Sequence, residues 1–459
     1  MEHPGSSEAS TVEEAAGGAL LVLFLVTFID MIGFGIVIPF LTYLVEDLAV
    51  GQGIAAVGLW VGLIMTAYPT AQFLSAPLWG GLSDRIGRRP ILMVGLVGNT
   101  LCFTLFGLAP TLFVAASARF MAGFFNGNIP VARAYIGDIS SPEKMAARMG
   151  LIGAAFGLGF TIGPFLGGEL SAPAERWALF EGTVFDTHPY LLPCVLASVL
   201  SIVALLIAVT RLPESLPADR RTASSPLGWA TTLRTSVSGM AGMLRTPAVG
   251  RLIVVGMLFS FGFTIMHAVF ILFTEMSPAD GGLGFSEAQN GRVFAIIGLT
   301  GIVVQGGLIR PLSKRVPSRT LVPIAVLLTG LGLGAIPYAT SSAPWLWLLP
   351  TCVLMATGSG IFQPSSSSLL AGYARERGER LGGVMGASES ASAFARILGP
   401  VTGGAVWTAT WQRSDLFDYH TVFRLCALIM VFGALLALTL PPEPTLVDEQ
   451  EAGAFWENH

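Results

Sequence analysis

Gly80-Gly81-Leu82-Ser83-Asp84-Arg85-Ile86-Gly87-Arg88-Arg89-Pro90 places four charges and three glycines in eleven residues. No Asp, Glu, Lys or Arg occurs from Leu48 to Ser83, and none from Pro90 to Ala118. About 20 apolar residues span a bilayer as a helix, so the stretch reads as a charged connection between two membrane spans. Further runs free of acidic and basic residues, His excepted, cover 187–210, 252–274 and 320–374, the last long enough for two spans. Of the 459 residues 12% are charged and 53% hydrophobic, with mean hydropathy +0.69. A soluble domain carries about 25% charged residues. So few charges cannot cover a surface in water. The chain is therefore an all-α integral membrane protein, with the lipid bilayer as its first partner.

Other classes find no support. Cys102, Cys194, Cys352 and Cys426 each stand alone in apolar segments with no CxxC pair, and read as packed or membrane-facing thiols. The five histidines form no HExxH, and neither Lys144 nor Lys314 follows a glycine-rich phosphate loop. No nucleophile elbow occurs. The chain is thus not expected to be an enzyme, to need a metal or organic cofactor, or to be driven by ATP. A net charge of −4 offers no basic face for nucleic acid. The first sixteen residues carry Glu2, Glu8, Glu13 and Glu14 and no Lys or Arg, unlike a signal peptide.

Hydrophobic runs and their breakers predict twelve spans, near 17–45, 55–79, 91–109, 111–136, 147–170, 189–210, 251–274, 291–309, 320–340, 343–372, 382–410 and 421–440. Eighteen of the 25 basic residues fall in the gaps after even-numbered spans or at their edges, and four in or at the edges of the odd gaps. The positive-inside rule then places the even gaps and both termini in the cytoplasm. Trp79-Gly80-Gly81-Leu82 returns in outline as Gln305-Gly306-Gly307-Leu308. Ile162-Gly163-Pro164-Phe165-Leu166-Gly167-Gly168 returns as Leu398-Gly399-Pro400-Val401-Thr402-Gly403-Gly404. Both offsets are about half the chain, as in transporters built from two related bundles. The expected organisation is a tail at 1–16, a six-helix bundle at 17–211, a linker at 212–250, a second bundle at 251–440 and a tail at 441–459. In the linker Leu233, Val237, Met240 and Leu244 have helical spacing, which fits an interfacial helix or a disordered connection.

Gly80-x-Leu82-Ser83-Asp84-Arg85-x-Gly87-Arg88-Arg89 resembles the loop-2–3 signature of the major facilitator superfamily. Gly150-x8-Gly159-x3-Gly163-Pro164-x2-Gly167-Gly168 resembles the fifth-helix signature of its drug:proton antiporter branch. Arg119-x2-Ala122-Gly123 resembles the fourth-helix signature, with Ala122 where Gln is usual. Asp30-x2-Gly33-x-Gly35-x3-Pro39 and Ala134-Tyr135-Ile136-x-Asp138 are similar to the tetracycline efflux proteins and their relatives. The acids and histidine by which that branch handles tetracycline do not carry over, since Cys102 and Gly301 stand where two of them would be and span 9 has no acid. The resemblance implies that Asp84 sits at the start of span 11, near Leu381, and that Arg88 pairs with Asp138. An anion at a helix N-terminus gains about 0.3–1 kcal/mol, so the stretch would act as a breakable gate. A plain positive-inside anchor would need Arg85, Arg88 and Arg89 but not Asp84.

Inside the membrane a charged acid costs about 2.5–3.5 kcal/mol. Asp30 in span 1 therefore faces a wet cavity, pairs, or binds a proton, either in proton coupling with Arg119 or as a static structural pair. Arg119, Asn126 and Arg133 recur every seven residues, on one face of span 4. The resemblance implies that spans 1, 4, 7 and 10 line a central cavity, to which span 7 adds His267 and span 10 adds Gln363 and Ser365 beside Pro364. His267 could equally be packed, and the serines could bond back to their own helix. Glu389 and Arg396 in span 11 read as interface or packing charges. Gly159, Gly163, Pro164, Gly167 and Gly168 give span 5 a smooth face for close helix packing. The expected function is proton-coupled export of an amphipathic small molecule by alternating access, by a monomer in the plasma (inner) membrane. The alternative is uptake or facilitated transport of a metabolite or organic anion. A scaffold or sensor would need neither Asp30 nor a polar cavity.

Overall fold

The computed structural model describes residues 5–126, 128–140, 142–217, 219, 221, 238–379, 381–413 and 416–442. Helix α1 (Gly5–Ile36, continued as Ile38–Gly51) leads to α2 (Val57–Ile86) and α3 (Arg88–Gly107). Then come α4 (Leu112–Phe125, continued as Asn128–Ile139), α5 (Pro142–Leu170) and α6 (Leu191–Arg211). The second half holds α7 (Pro247–Glu275), α8 (Glu287–Val303, through a π turn at Val304–Leu308 into Ile309–Ser313) and α9 (Ser318–Ala335). It closes with α10 (Pro344–Glu376), α11 (Leu381–Thr410) and α12 (His420–Leu438). These are twelve spans. Nine are long and apolar enough to cross a membrane by themselves among the described residues. The other three are α4, which is interrupted at Asn126, α5, and α11, which carries Glu389, Arg396 and several serines and threonines.

Several boundaries differ from the sequence reading for local reasons. Helix α2 runs on to Ile86, so Gly80 to Ile86 is helix and only Gly87, at φ +108°, turns the chain. Helix α8 begins at Glu287 because Ser286 and Gln289 form a reciprocal capping box. Pro247 opens α7 at a position where its missing N–H costs nothing. Pro130 cannot donate to the Asn126 carbonyl four residues back, and α4 is interrupted there; that carbonyl accepts from Gln72 Nε2 at 3.2 Å instead. In the linker, residues 238–244 are helical and Met240 and Leu244 pack on the core. Leu233 and Val237 lie outside the described residues, as do 1–4 and 443–459 of the two tails, whereas 5–16, expected as a tail, is the first part of α1.

Helices α1–α6 form one bundle and α7–α12 the other, and their packing plans match. Helix α1 lies on α5 and α6 as α7 lies on α11 and α12, and α3 lies on α6 as α9 lies on α12. Between the bundles α2 meets α11 and α8 meets α5, one contact made twice. Tyr135 at the end of α4 donates to the Pro213 carbonyl beyond α6, and Tyr373 in α10 donates to the Pro441 carbonyl beyond α12, each at 2.7 Å.

The repeated glycine motif explains the plan. On α5, Gly159, Gly163 and Gly167 rest on α1, and a Cβ at Gly163 would lie 2.7 Å from the Ile32 carbonyl oxygen. The next residue, Gly168, crosses to α8, where its Cβ would lie 3.0 Å from Gly291 Cα. On α11 the same division holds: Gly399 and Gly403 rest on α7, and Gly404 crosses to Gly58 and Gly62 of α2. Both crossings sit at the end of the molecule away from Arg85, Arg88 and Arg89. The described hydrogen bonds between bundles gather there too, including Thr66 Oγ1 to the Ile397 carbonyl (2.8 Å), Leu59 N–H to Thr408 Oγ1 (2.9 Å) and Asn290 Nδ2 to Tyr43 Oη (2.8 Å). Arg292 on α8 adds an ion pair with Glu169 on α5 at 2.6 Å. That end is shut. At the basic end Leu381, Gly382 and Gly383 of α11 are exposed, and Gly80 and Gly81 have open space beside them.

A side chain at Gly62 would collide with the Pro400 backbone. Gly62→Val should therefore hold the shut end apart, and a cysteine at Ala56 beside the seam should react several-fold faster with a water-soluble maleimide than it does with Gly62 intact. Equal rates would show that the seam does not close this end.

Candidate functional site

At the basic end Arg88 is the centre of a closed cluster. It is 8% exposed, and its Nη1 reaches Ser83 Oγ and Asp84 Oδ1, both at 2.6 Å. Its Nε donates to Asp138 Oδ2 at 3.1 Å, and Ser215 Oγ donates to the same oxygen at 3.0 Å. The expected Arg88–Asp138 pair is thus formed, tying α3 to α4. Glu214, just beyond α6, was not among the expected site residues. Its carboxylate accepts the backbone N–H groups of Arg88 (2.8 Å) and Arg89 (3.2 Å), capping the first turn of α3. Gly87 is required twice, by its φ and because a Cβ would stand 2.6 Å from Glu214 Cδ. Arg89 Nη2 donates to the Val209 carbonyl at 2.6 Å. Asp84 is half exposed and bound to Arg88, while Leu381, its expected partner across the bundles, is 39% exposed.

Asp30 is 2% exposed, and its Oδ1 accepts from Asn99 Nδ2 of α3 at 2.9 Å. Arg119 makes no ion pair with it. The guanidinium, on a residue 4% exposed, sits over Tyr68 at 5.0 Å and over Phe34 and Phe106 at 5.8 Å each. Its Nε and Nη1 have no hydrogen-bond partner, and neither has the Tyr68 hydroxyl. Tyr68 lies within electrostatic reach of both Asp30 and Arg119, so acid and base flank one phenol. The expected direct pair is replaced by cation–π contact, in which a ring face substitutes for a carboxylate.

The polar stripe of α4 is also divided. Asn126 is 2% exposed and faces Gln72, whereas Arg133, beyond the break, is exposed. Arg133 makes no hydrogen bond or ion pair among the described residues, but it stands close enough to act on the Glu389 carboxylate of α11. Glu389 is bound by Arg396 Nη2 at 2.7 Å, with side chains 59% and 40% exposed. The two α11 charges, expected at an interface or in packing, are thus paired with each other and substantially exposed. His267 is held where α5, α7 and α8 meet, 4.8 Å from Phe263 and 6.4 Å from Phe160 and Phe294. On α10, Gln363 is exposed, whereas Ser365 is 3% exposed with an unpartnered hydroxyl and faces packed helix, not an opening. Asn99 was legible as the one Asn in the uncharged run 90–118, where an amide needs a partner.

Removing a helix cap costs about 0.5–2 kcal/mol. Glu214→Ala should lower the thermal midpoint of the purified protein by a few degrees, while Glu214→Gln, which keeps one acceptor oxygen, should lose less. If both retain the wild-type midpoint, the cap carries no stability.

Comparison with known proteins agrees with this architecture. Residues 23–400 match the Major Facilitator Superfamily. A probable peptide/nitrate transporter of Arabidopsis thaliana is 28% identical over 411 residues, covering 86% of this chain and 84% of the relative. The class C tetracycline resistance protein of Escherichia coli is 28% identical over 429 residues, covering 91% and 98%. The crystal structure of the human organic anion transporter MFSD10 (TETRAN) superposes with a TM-score of 0.65 at 24% identity, covering 92% of this chain and 99% of that one. With twelve spans in two matched bundles and a family match across most of its length, the chain belongs to the Major Facilitator Superfamily.

Proposed function

We propose that this membrane transporter exports an amphipathic organic compound in exchange for protons, by alternating access and as a monomer. The positive-inside rule orients the basic end and both termini toward the cytoplasm, in the plasma (inner) membrane. The shut end then faces outside, and the conformation is open to the cytoplasm, as a protein waiting to load an export substrate would be. The observation that carries proton coupling is Asp30, an acid buried within α1 whose described hydrogen bond comes from a neutral amide. A carboxyl in such a place can change protonation when access to it switches between the two sides. The complete glycine pattern of α5 and the likeness to a tetracycline resistance protein support export. Arg133 and Arg396 at the opening favour a second reading, transport of a metabolite or organic anion, which the peptide/nitrate and organic anion transporters among the similar proteins also suggest. The proton serves as the coupling ion, and no other cofactor is invoked.

A substrate panel in proteoliposomes with an imposed pH gradient tests the proposal. Asp30→Asn should abolish uphill transport while leaving substrate exchange, because the rest of the site is untouched. Uphill flux at the wild-type rate would remove Asp30 from the mechanism. Asp84 and Leu381 should meet when the cytoplasmic end closes. Asp84→Asn should then slow turnover more than it weakens binding, since about 1.4 kcal/mol shifts a two-state equilibrium tenfold. A cysteine at Leu381 should label faster in that variant, and unchanged labelling and turnover would reduce the stretch to a topology anchor.

A further inference from the structure

We propose that Arg133 and Arg396 form a site for an organic anion, and that Glu389 stands in for the anionic group when no substrate is bound. This rests on the transporter reading above and adds the charge class of the substrate. Glu389 lies eight residues from the start of α11 and Arg396 fifteen, or about 12 Å and 22 Å along the helix. Both are well inside a membrane-spanning element, yet both are substantially exposed. Beyond Ile397 the same helix is closed against α2, so the pair lies on the basic-end side of that closure. Arg133 comes from the other bundle and brings a charge with no bonded partner among the described residues.

Three charges, two positive and one negative, leave the opening with a net positive charge. Low-dielectric walls focus such a field and concentrate ions of the opposite sign. The Glu389–Arg396 pair joins two turns of one helix and is exposed, which makes it weak and screened. A carboxylate or sulfonate from a ligand can take the place of Glu389 and receive paired N–H groups from a guanidinium. A ligand can do what Glu389, fixed to α11, does not do here, which is to touch both arginines. It would join α4 of one bundle to α11 of the other and draw the cytoplasmic ends together.

Fluorescein and rhodamine 123 share a xanthene ring system and carry opposite charge, so they separate charge from shape. Anisotropy titrations with the full chain in nanodiscs should show fluorescein binding about tenfold more tightly than rhodamine 123. Glu389→Gln should tighten fluorescein by about tenfold, and Arg396→Gln and Arg133→Gln should each weaken it by about as much. Arg133→Gln breaks no described contact, so it reads the loss even if Arg396→Gln fails to fold. Absence of saturable fluorescein binding, preference for rhodamine 123, or weaker fluorescein binding in Glu389→Gln would overturn the assignment. Proton-driven flux of rhodamine 123 by a chain that does not bind fluorescein would overturn the anion site while leaving the transporter reading intact. Tight fluorescein binding without any flux would support the site and sink the transport reading.

Discussion

Backbone contact through glycine is the constraint on which the architecture depends. A membrane gives apolar side chains no reason to prefer one another over lipid, so helices associate through close packing and polar contacts. Here the closest packing is made where α5 rests on α1 and α11 rests on α7. In each case the next glycine along reaches the opposite bundle, Gly168 at Gly291 and Gly404 at Gly58 and Gly62. One motif therefore serves two surfaces. It holds each bundle together and also forms the seam along which the bundles meet. A seam of bare backbone has little interlocking side-chain volume to withdraw, which suits a contact that opens and closes in each cycle.

Charge is arranged by a different logic, and it breaks the two-fold relation that the glycines obey. The first bundle alone carries Arg88 bound by Ser83, Asp84 and Asp138, with Glu214 capping α3. In the second bundle the Gly-Gly-Leu counterpart lies in a π turn, and Arg310 follows where Asp84 would stand. The first bundle also carries the buried charges Asp30 and Arg119. Neither is paired with the other: Asn99 donates to the acid, and three rings surround the base. The exposed charges of α11 belong instead to the opening between the bundles, where water reduces the cost of keeping them.

Composition and spacing by themselves determined the class, the twelve spans, the two-fold repeat and the orientation argument, because membrane insertion acts on local hydropathy and on flanking charge. The Arg88–Asp138 pair was also legible, through a resemblance carried by the local stretch Gly80 to Arg89. Other features were decided only by tertiary structure. Arg119 sits seven residues before Asn126 and fourteen before Arg133, yet the helix is interrupted at Asn126, and the first two are buried whereas the third is exposed. Glu214 and Arg88 are 126 residues apart and meet only because α6 ends beside the start of α3. Glu389 and Arg396 read as interface or packing charges, since periodicity tells which residues share a helix face but not whether that face meets a helix or an opening. That choice is made by how two bundles rest on each other, which depends on contacts between residues hundreds of positions apart.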